Sequence, residues 1–431
     1  MPKGVRKMKF MLYTLGCKVN AYESEMMKEK LLQKGYVLDE KDPDIIIINT
    51  CSVTNVADQK SRKMVRHFKN MHPNSITVVC GCSTEHKRDD YLKMGIDILI
   101  GNSKKSQIIE LIEEYQKNKK PILYFENTRR LPFEDMSIKE FTTHTRAFVK
   151  IQDGCDNFCS YCVIPFVRGS IRSKDFNQVL DEIRTLVNHG HKEIVLTGIH
   201  TGSYGVGTSH DLTDVIHEAS KLEGLERIRI SSIEITELND KFMEELKNNP
   251  KICNHLHIPL QAGSDEILKK MNRKYDLEEY KRIINKIRRI REDISITTDV
   301  IVGFPGETDE LFSKTLETVK ELKLSKVHVF PFSKKEGTKA ALMPNQIDEN
   351  KKKKRVRELV SLSDALEEEY AQKFINKNGY VLIETSKDNE STGCTSNYLK
   401  VIIKESLPRN KVVLCRFKEI DNHNLIGEVI K

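Results

Sequence analysis

Cys155-Asp-Asn-Phe-Cys159-Ser-Tyr-Cys162 places three cysteines in one short loop, separated by three and then two residues, directly after the strand-like run 147–152. Three thiolates at this spacing suit three irons of a 4Fe-4S cube, with the fourth iron left open to a small molecule. A structural zinc site asks for four closed ligands, usually in paired CxxC units, and no second pair follows at zinc-ribbon distance. The stretch therefore reads as a cluster loop at the head of an α/β unit.

Downstream, apolar strand-like runs at 193–197, 227–231, 255–260, 294–302 and 326–331 alternate with amphipathic stretches at 176–188, 211–221, 238–248, 265–271, 277–290 and 310–322. Counting the run before the cysteines, six β/α units fit a partial barrel, whose ligand site lies at the strand C-terminal ends. Unusual residues collect at those ends: Gly198, Ser231 to Glu234, His257, Gln261, Gly303 and His328. Each one read alone is as well a turn glycine, a cap or a satisfied core histidine.

Upstream of the cluster loop, strands are expected at 9–15, 44–49, 75–80 and 96–100, with helices at 21–34 and 59–70. The β-branched run Ile45-Ile46-Ile47-Ile48 is typical of a parallel strand buried on both faces, so this part reads as a doubly wound α/β unit. Cys17, Cys51 and Cys82 each follow one of its strands. Loops beyond the strand C-terminal ends share one crevice, so these cysteines can converge there, although each by itself is equally an ordinary buried cysteine. Cys80, inside a strand, reads as core.

A chain of 431 residues is long enough for two or three domains. Its ten cysteines come with no signal-peptide pattern and no apolar run of membrane-span length, which points to reduced cysteines in a cytoplasmic protein with no membrane partner. The formal net charge of +8 permits an RNA partner. Residues 118–144, with Pro121 and Pro132, read as a polar connector. The basic run 351–357 opens a helix expected to reach about 374, read as a solvated face or an RNA contact. Short β-runs at 380–384, 398–403, 411–417 and 425–430 look like a small barrel, and Cys394 and Cys415 there read as structural.

The CxxxCxxC spacing with Tyr161 before the last cysteine resembles the signature of the radical S-adenosylmethionine (SAM) enzymes. Together with Thr14-Leu15-Gly16-Cys17-Lys18-Val19-Asn20, Asn49-Thr50-Cys51, Gly81-Cys82 and Gln152-Asp153-Gly154 it resembles the methylthiotransferase family along essentially the whole chain. The resemblance implies a doubly wound amino-terminal domain (7–117), a linker (118–144), a partial (β/α)6 radical SAM barrel with a trailing basic helix (145–372), and a small all-β TRAM barrel (373–431). It implies two 4Fe-4S clusters, an auxiliary one on Cys17, Cys51 and Cys82 and a SAM-cleaving one on Cys155, Cys159 and Cys162.

By the same analogy Tyr161, Gly198, Glu234, Gln261 and Gly303 contact SAM, and Lys18, Arg168 and Arg172 are candidates for the substrate. The expected reaction is methylthiolation of carbon 2 of threonylcarbamoyladenosine at position 37 of tRNA, through reductive cleavage of SAM to a 5′-deoxyadenosyl radical. Lys18-Val19 after Cys17 is the cue for that branch; the isopentenyladenosine branch is the alternative within the family. A non-enzymatic RNA-binding protein is the alternative outside it. Expected partners are tRNA, an electron donor such as flavodoxin or ferredoxin, and a sulfur donor.

Overall fold

The computed structural model describes residues 7–430. β1 (Lys9–Thr14), β2 (Val37–Leu38), β3 (Ile45–Thr50), β4 (Ile76–Gly81), β5 (Ile98–Ile100) and β6 (Ile122–Tyr124) form one parallel sheet in the order β2-β1-β3-β4-β5-β6. All of β3 is buried. Ile45 and Ile47 pack with Phe10, Tyr22 and Ile108 beneath the helices Lys18–Gln33 and Ile108–Asn118, while Ile46 and Ile48 face Met11 and Val65 on the side of the helix Asn55–Met71. A strand covered on both faces has no use for polar alternation, which is why its isoleucines run unbroken.

Two expectations need correction here. β6 lies inside 118–144, and Met136, Ile138 and Phe141 of the same segment are buried, so the stretch is a packed strap carrying a sheet strand rather than a polar connector. Three residues after Pro121 are too few for a periodicity to register. The first helix begins at Lys18, ahead of the expected 21, with Cys17 at its N-cap and no side-chain cap bond to mark the start.

β7 (Ala147–Lys150) opens the second unit, and β8 (Gln152–Asp153) pairs antiparallel with β9 (Arg172–Ser173) across the base of the cysteine loop. β10 (Glu193–Thr197), β11 (Arg227–Ile230), β12 (His255–His257), β13 (Ser295–Val302) and β14 (Lys326–Pro331) complete it. Parallel ladders run β11-β10-β7 and β12-β13-β14, and a bridge between Ile228 and Ile252 joins them into a six-stranded partial barrel. Five of the intervening helices follow Asp175, Asp211, Asn239, Asp276 and Thr308, each of which accepts a backbone N–H as N-cap, whereas Ser264 ahead of Asp265–Lys270 makes no such bond. The basic run begins the helix Glu349–Gln372, and its faces divide: Lys352 and Arg355 are buried, Arg355 pairing with Glu307 and Asp309, while Lys351, Lys353, Lys354 and Arg357 stay exposed.

β15 (Asn378–Lys387), β16 (Glu390–Thr395), β17 (Lys400–Ile403), β18 (Val412–Asp421) and β19 (Asn424–Val429) close a barrel in the order β15-β16-β17-β19-β18. β16 escapes notice in the sequence because Glu-Ser-Thr-Gly-Cys-Thr carries no large apolar residue. Among the described residues, no helix is long and apolar enough to cross a membrane.

Candidate functional site

The ends of β1, β3 and β4 bring Cys17, Cys51 and Cys82 together. Thr50 pairs with Gly81 in register, so Cys51 and Cys82 leave adjacent strands side by side. Gly81 has φ +109, and a Cβ there would lie 2.4 Å from the Thr50 carbonyl oxygen. Gly16 lets the Cys17 loop close over Cys51, since a Cβ on it would sit 2.9 Å from the Cys51 sulfur. Burial, with Cys82 and Cys17 nearby, pushes the Cys51 thiol up to about 12, so its thiolate needs positive charge or metal to persist. Cys80 belongs to the strand core and is fully buried.

The second trio is held by its own loop. Cys155 N–H donates to Gly169 O at 3.0 Å and Cys162 N–H to Cys159 O at 3.0 Å. Each sulfur has a donor: Arg273 Nη1 lies 3.3 Å from Cys159 Sγ, Ile164 N–H 3.4 Å from Cys162 Sγ, and His200 bonds Cys155. Burial would lower the His200 pKa, but Cys155 and Glu237 hold it up to about 10, so the imidazole is a cation facing sulfur at neutral pH. Burial and the neighbouring Cys159 push Cys162 up to about 12.

Arg168, which follows the second loop in sequence, reaches the first trio. Its side chain is fully buried; Nε donates to Cys82 Sγ at 3.2 Å, Nη2 to Asn20 Oδ1 at 2.7 Å, and Nη1 pairs with Glu23 and Asp153. Lys105 and Lys150 also pair with Glu23. Burial would raise the Glu23 carboxyl, yet Arg168, Lys105 and Lys150 hold it well below the usual carboxylate range.

Two cavities adjoin these loops, with Asp299 and Phe330 in the wall of both. The first, of about 430 Å³, is lined by Cys17, Lys18, Gly198, Arg229, His255 and Tyr398 among others, a size within the ~300–1,000 Å³ usual for small-molecule sites. The second, of about 200 Å³, lies against Tyr161, Cys162, Gln261, Ile301 and Phe332, with Val53 and Thr54 arriving from the first sheet.

Residues 149–319 match the Radical SAM superfamily, and residues 9–101 match a family described as Uncharacterized protein family UPF0004. The chain is 41% identical over 403 residues to the threonylcarbamoyladenosine tRNA methylthiotransferase of Bacillus subtilis (strain 168), covering 91% of this chain and 89% of that one. This protein belongs to the radical SAM methylthiotransferase family. The tRNA-2-methylthio-N(6)-dimethylallyladenosine synthase of Acetivibrio thermocellus is 33% identical over 443 residues, covering 99% of the methylthiotransferase and 92% of the relative. Among solved structures, the radical SAM methyltransferase TsrM of Kitasatospora setae shares the fold with a TM-score of 0.56 at 13% identity, over 75% of this chain and 73% of that one. The methylthiotransferase is thus an enzyme, which removes the non-enzymatic alternative.

Methylthiotransferases use SAM and two 4Fe-4S clusters, and the donors in this chain fit them. Among the described residues, no three His, Cys, Asp or Glu side chains converge on a single ion position; in a cube each thiolate holds a different iron, so convergence on one point is not what a cluster needs. N–H groups aimed at ligand sulfur stabilise the negative charge of a cluster. Arg168 and Asn102 are placed to do so at Cys82, and His200, Arg273 and Ile164 at the second trio, where those cysteines would hold the clusters.

Of the residues expected to contact SAM, Tyr161 and Gln261 line the second cavity and Gly198 the first. Glu234 and Gly303 line neither. Glu234 is paired with Arg273 behind Cys159, and Gly303 lies under the basic helix, where a Cβ would meet Lys352 Cγ at 2.4 Å. Lys18 lines the first cavity, but Arg168 and Arg172 are turned away from both. Arg172 donates to the Arg168 carbonyl oxygen and pairs with Asp153, so both guanidiniums are consumed inside the protein. Arg273, His200, Asp299 and Tyr398 were missed as site residues. None stands at a motif spacing; Asp299 lies within β13, and the others follow a strand or helix or sit in a turn, so only the fold brings them to the site.

Proposed function

We propose that the enzyme methylthiolates carbon 2 of threonylcarbamoyladenosine at position 37 of tRNA, with the SAM-cleaving cluster on Cys155, Cys159 and Cys162 and the auxiliary cluster on Cys17, Cys51 and Cys82. In this reading the second cavity takes SAM and the first takes the modified nucleoside. When bound, the clusters and SAM supply the one-electron chemistry that removes the hydrogen from the carbon and the sulfur and methyl that replace it.

The chain's own residues hold and orient. His200, Arg273 and the Ile164 N–H bear the negative charge at the loop sulfurs. Ile301, Phe332, Val163 and Ile164 give the SAM cavity a dry wall, and Gln261, held at φ +66, adds its amide. Cys17 in the wall of the first cavity brings the auxiliary site to the nucleoside.

The observation that carries the substrate reading is Lys18. Arg229, also in that wall, is bound to Glu193. Burial, with Arg229 close by, keeps His255 well below its ordinary pKa, and burial with His257 lowers His328, so both imidazoles are neutral at pH 7. Among the described residues lining the cavity, the Lys18 ammonium is therefore a cation with no ion pair of its own. A threonylcarbamoyl group brings a carboxylate to meet it; an isopentenyl group brings only hydrocarbon and would leave it unpaired. The relative at 41% identity, named for the threonylcarbamoyl nucleoside, supports the same choice.

The test is a competition between two tRNAs, one carrying each modified adenosine, under anaerobic reducing conditions. Wild-type enzyme should favour the threonylcarbamoyl tRNA. Lys18→Met should lower kcat/KM on it by about 10- to 100-fold, the value of a charged hydrogen bond, and change the isopentenyl reaction little. An isopentenyl tRNA that reacts equally well or better overturns the substrate assignment.

A further inference from the structure

The first cavity has one wall that comes from the terminal barrel. Tyr398 closes the tight turn between β16 and β17, its N–H donating to Thr395 O at 3.0 Å. That turn is fastened to the radical SAM barrel. Arg229 donates to Ser396 O at 3.3 Å and to Thr395 O at 3.4 Å, Arg227 to Cys394 O at 3.0 Å, and the Asn254 N–H to Ser396 Oγ at 2.8 Å. Asn397 Nδ2 adds a bond to Asp293 O at 2.7 Å. So anchored, the β16–β17 turn carries a residue of the terminal barrel into the wall of the chamber.

The backbone of Tyr398 is left-handed, with φ +68. Glycine or asparagine takes that conformation with little strain, whereas a bulky aromatic residue does not, and strain of this kind gathers at functional sites. The ring is held by the Arg229 guanidinium at 4.6 Å and that of Arg146 at 5.1 Å from its centroid, with the His255 ring at 4.8 Å. Despite these neighbours the residue remains 37% exposed, and among the described residues its hydroxyl has no hydrogen-bond partner. A tyrosine serving only to anchor the barrel would bury its ring and pair its hydroxyl. Here an accessible, preoriented ring shares a chamber with Cys17 and Lys18.

We propose that Tyr398 is the stacking platform for the target adenine, holding the purine in the chamber with carbon 2 toward the Cys17 side. Single-stranded RNA bases are commonly splayed out and stacked on aromatic side chains in this way. The inference rests on the substrate being an RNA adenosine; it does not depend on which group the N6 position carries.

The experiment compares wild type with Tyr398→Phe, Tyr398→His and Tyr398→Asn in the reconstituted holoenzyme, on tRNAs carrying each modified adenosine. His and Asn both tolerate a left-handed backbone, but only His offers an aromatic face. Readouts are kcat and KM for methylthiolation, product formed per 5′-deoxyadenosine released, direct tRNA affinity, and iron content. Phe and His should stay within about threefold of wild type. Asn should lose on the order of tenfold in kcat/KM, the scale of one base–aromatic stack, and should release several-fold more 5′-deoxyadenosine per product, at unchanged iron content. Asn matching wild type, or Phe doing no better than Asn, overturns the proposal, as does a wild-type enzyme that modifies neither tRNA. If only the isopentenyl tRNA is modified, the substrate reading fails, and the same comparison on that tRNA decides the role of Tyr398.

Discussion

Alanine at Cys155, Cys159 or Cys162 is expected to remove about one 4Fe-4S unit of iron from the reconstituted protein and to abolish reductive SAM cleavage. The loop has no spare cysteine nearby: Cys253 is buried at the far end of the strands, and Cys394 and Cys415 lie in the terminal barrel. Losing one thiolate also takes one partner from its donor. Arg273 would keep only Glu234 and Tyr275, and His200 only Glu237, Ser203 and Asn157. Anaerobic iron analysis and chromatography of 5′-deoxyadenosine check the outcome. Cleavage retained in all three variants would exclude this loop as the SAM-cleaving site. The converse set, Cys17, Cys51 and Cys82 replaced together, should leave cleavage intact and stop methylthio transfer.

Arg168→Met is expected to destabilise the protein by about 3–5 kcal/mol, the usual cost of removing one member of a buried ion network. Met fills the same space, so the loss is electrostatic rather than a cavity. Without the guanidinium, Glu23 keeps Lys105 and Lys150, but Asn20 Oδ1 loses its donor and Cys82 Sγ keeps only Asn102 in a buried setting. The contact also crosses between units: Arg168 follows the cysteine loop, whereas Asn20 and Glu23 lie on the first helix. The variant should therefore loosen the amino-terminal sheet from the barrel. Arg168→Lys, which keeps the charge but cannot serve Cys82, Asn20 and Glu23 at once, should fall between. Urea midpoints of the three proteins measure this, and an unchanged midpoint for Arg168→Met would contradict the role assigned to the network.

The fold was legible wherever burial left a period in the sequence. The isoleucine run of β3 and the helices Phe176–Asn188 and Leu277–Ile290 are found where their patterns put them, since each has a face wholly committed to the core. β2, β6 and β16 were not, because two or three residues hold no period and small polar residues hold no hydrophobicity. At the site, cysteines were legible by local spacing and by position after strands. Arginines were not: Arg168 and Arg172 follow the loop closely in sequence, yet their charge is spent on Asp153 and, for Arg168, on Glu23, while Arg273 reaches Cys159 from far along the chain. Proximity in sequence says which groups are near a loop, and only the packing says which way a guanidinium faces. Tyr398 was unreadable for the same reason, since its chamber is built by three separate parts of the chain.

The central claim, thiomethylation of threonylcarbamoyladenosine in tRNA, is tested most directly by mass spectrometry of tRNA nucleosides from a strain lacking this gene, with and without the gene restored. The account predicts that 2-methylthio-threonylcarbamoyladenosine disappears, the unthiolated nucleoside accumulates, and the restored gene reverses both. If that nucleoside persists while 2-methylthio-isopentenyladenosine is lost, the substrate assigned here is wrong.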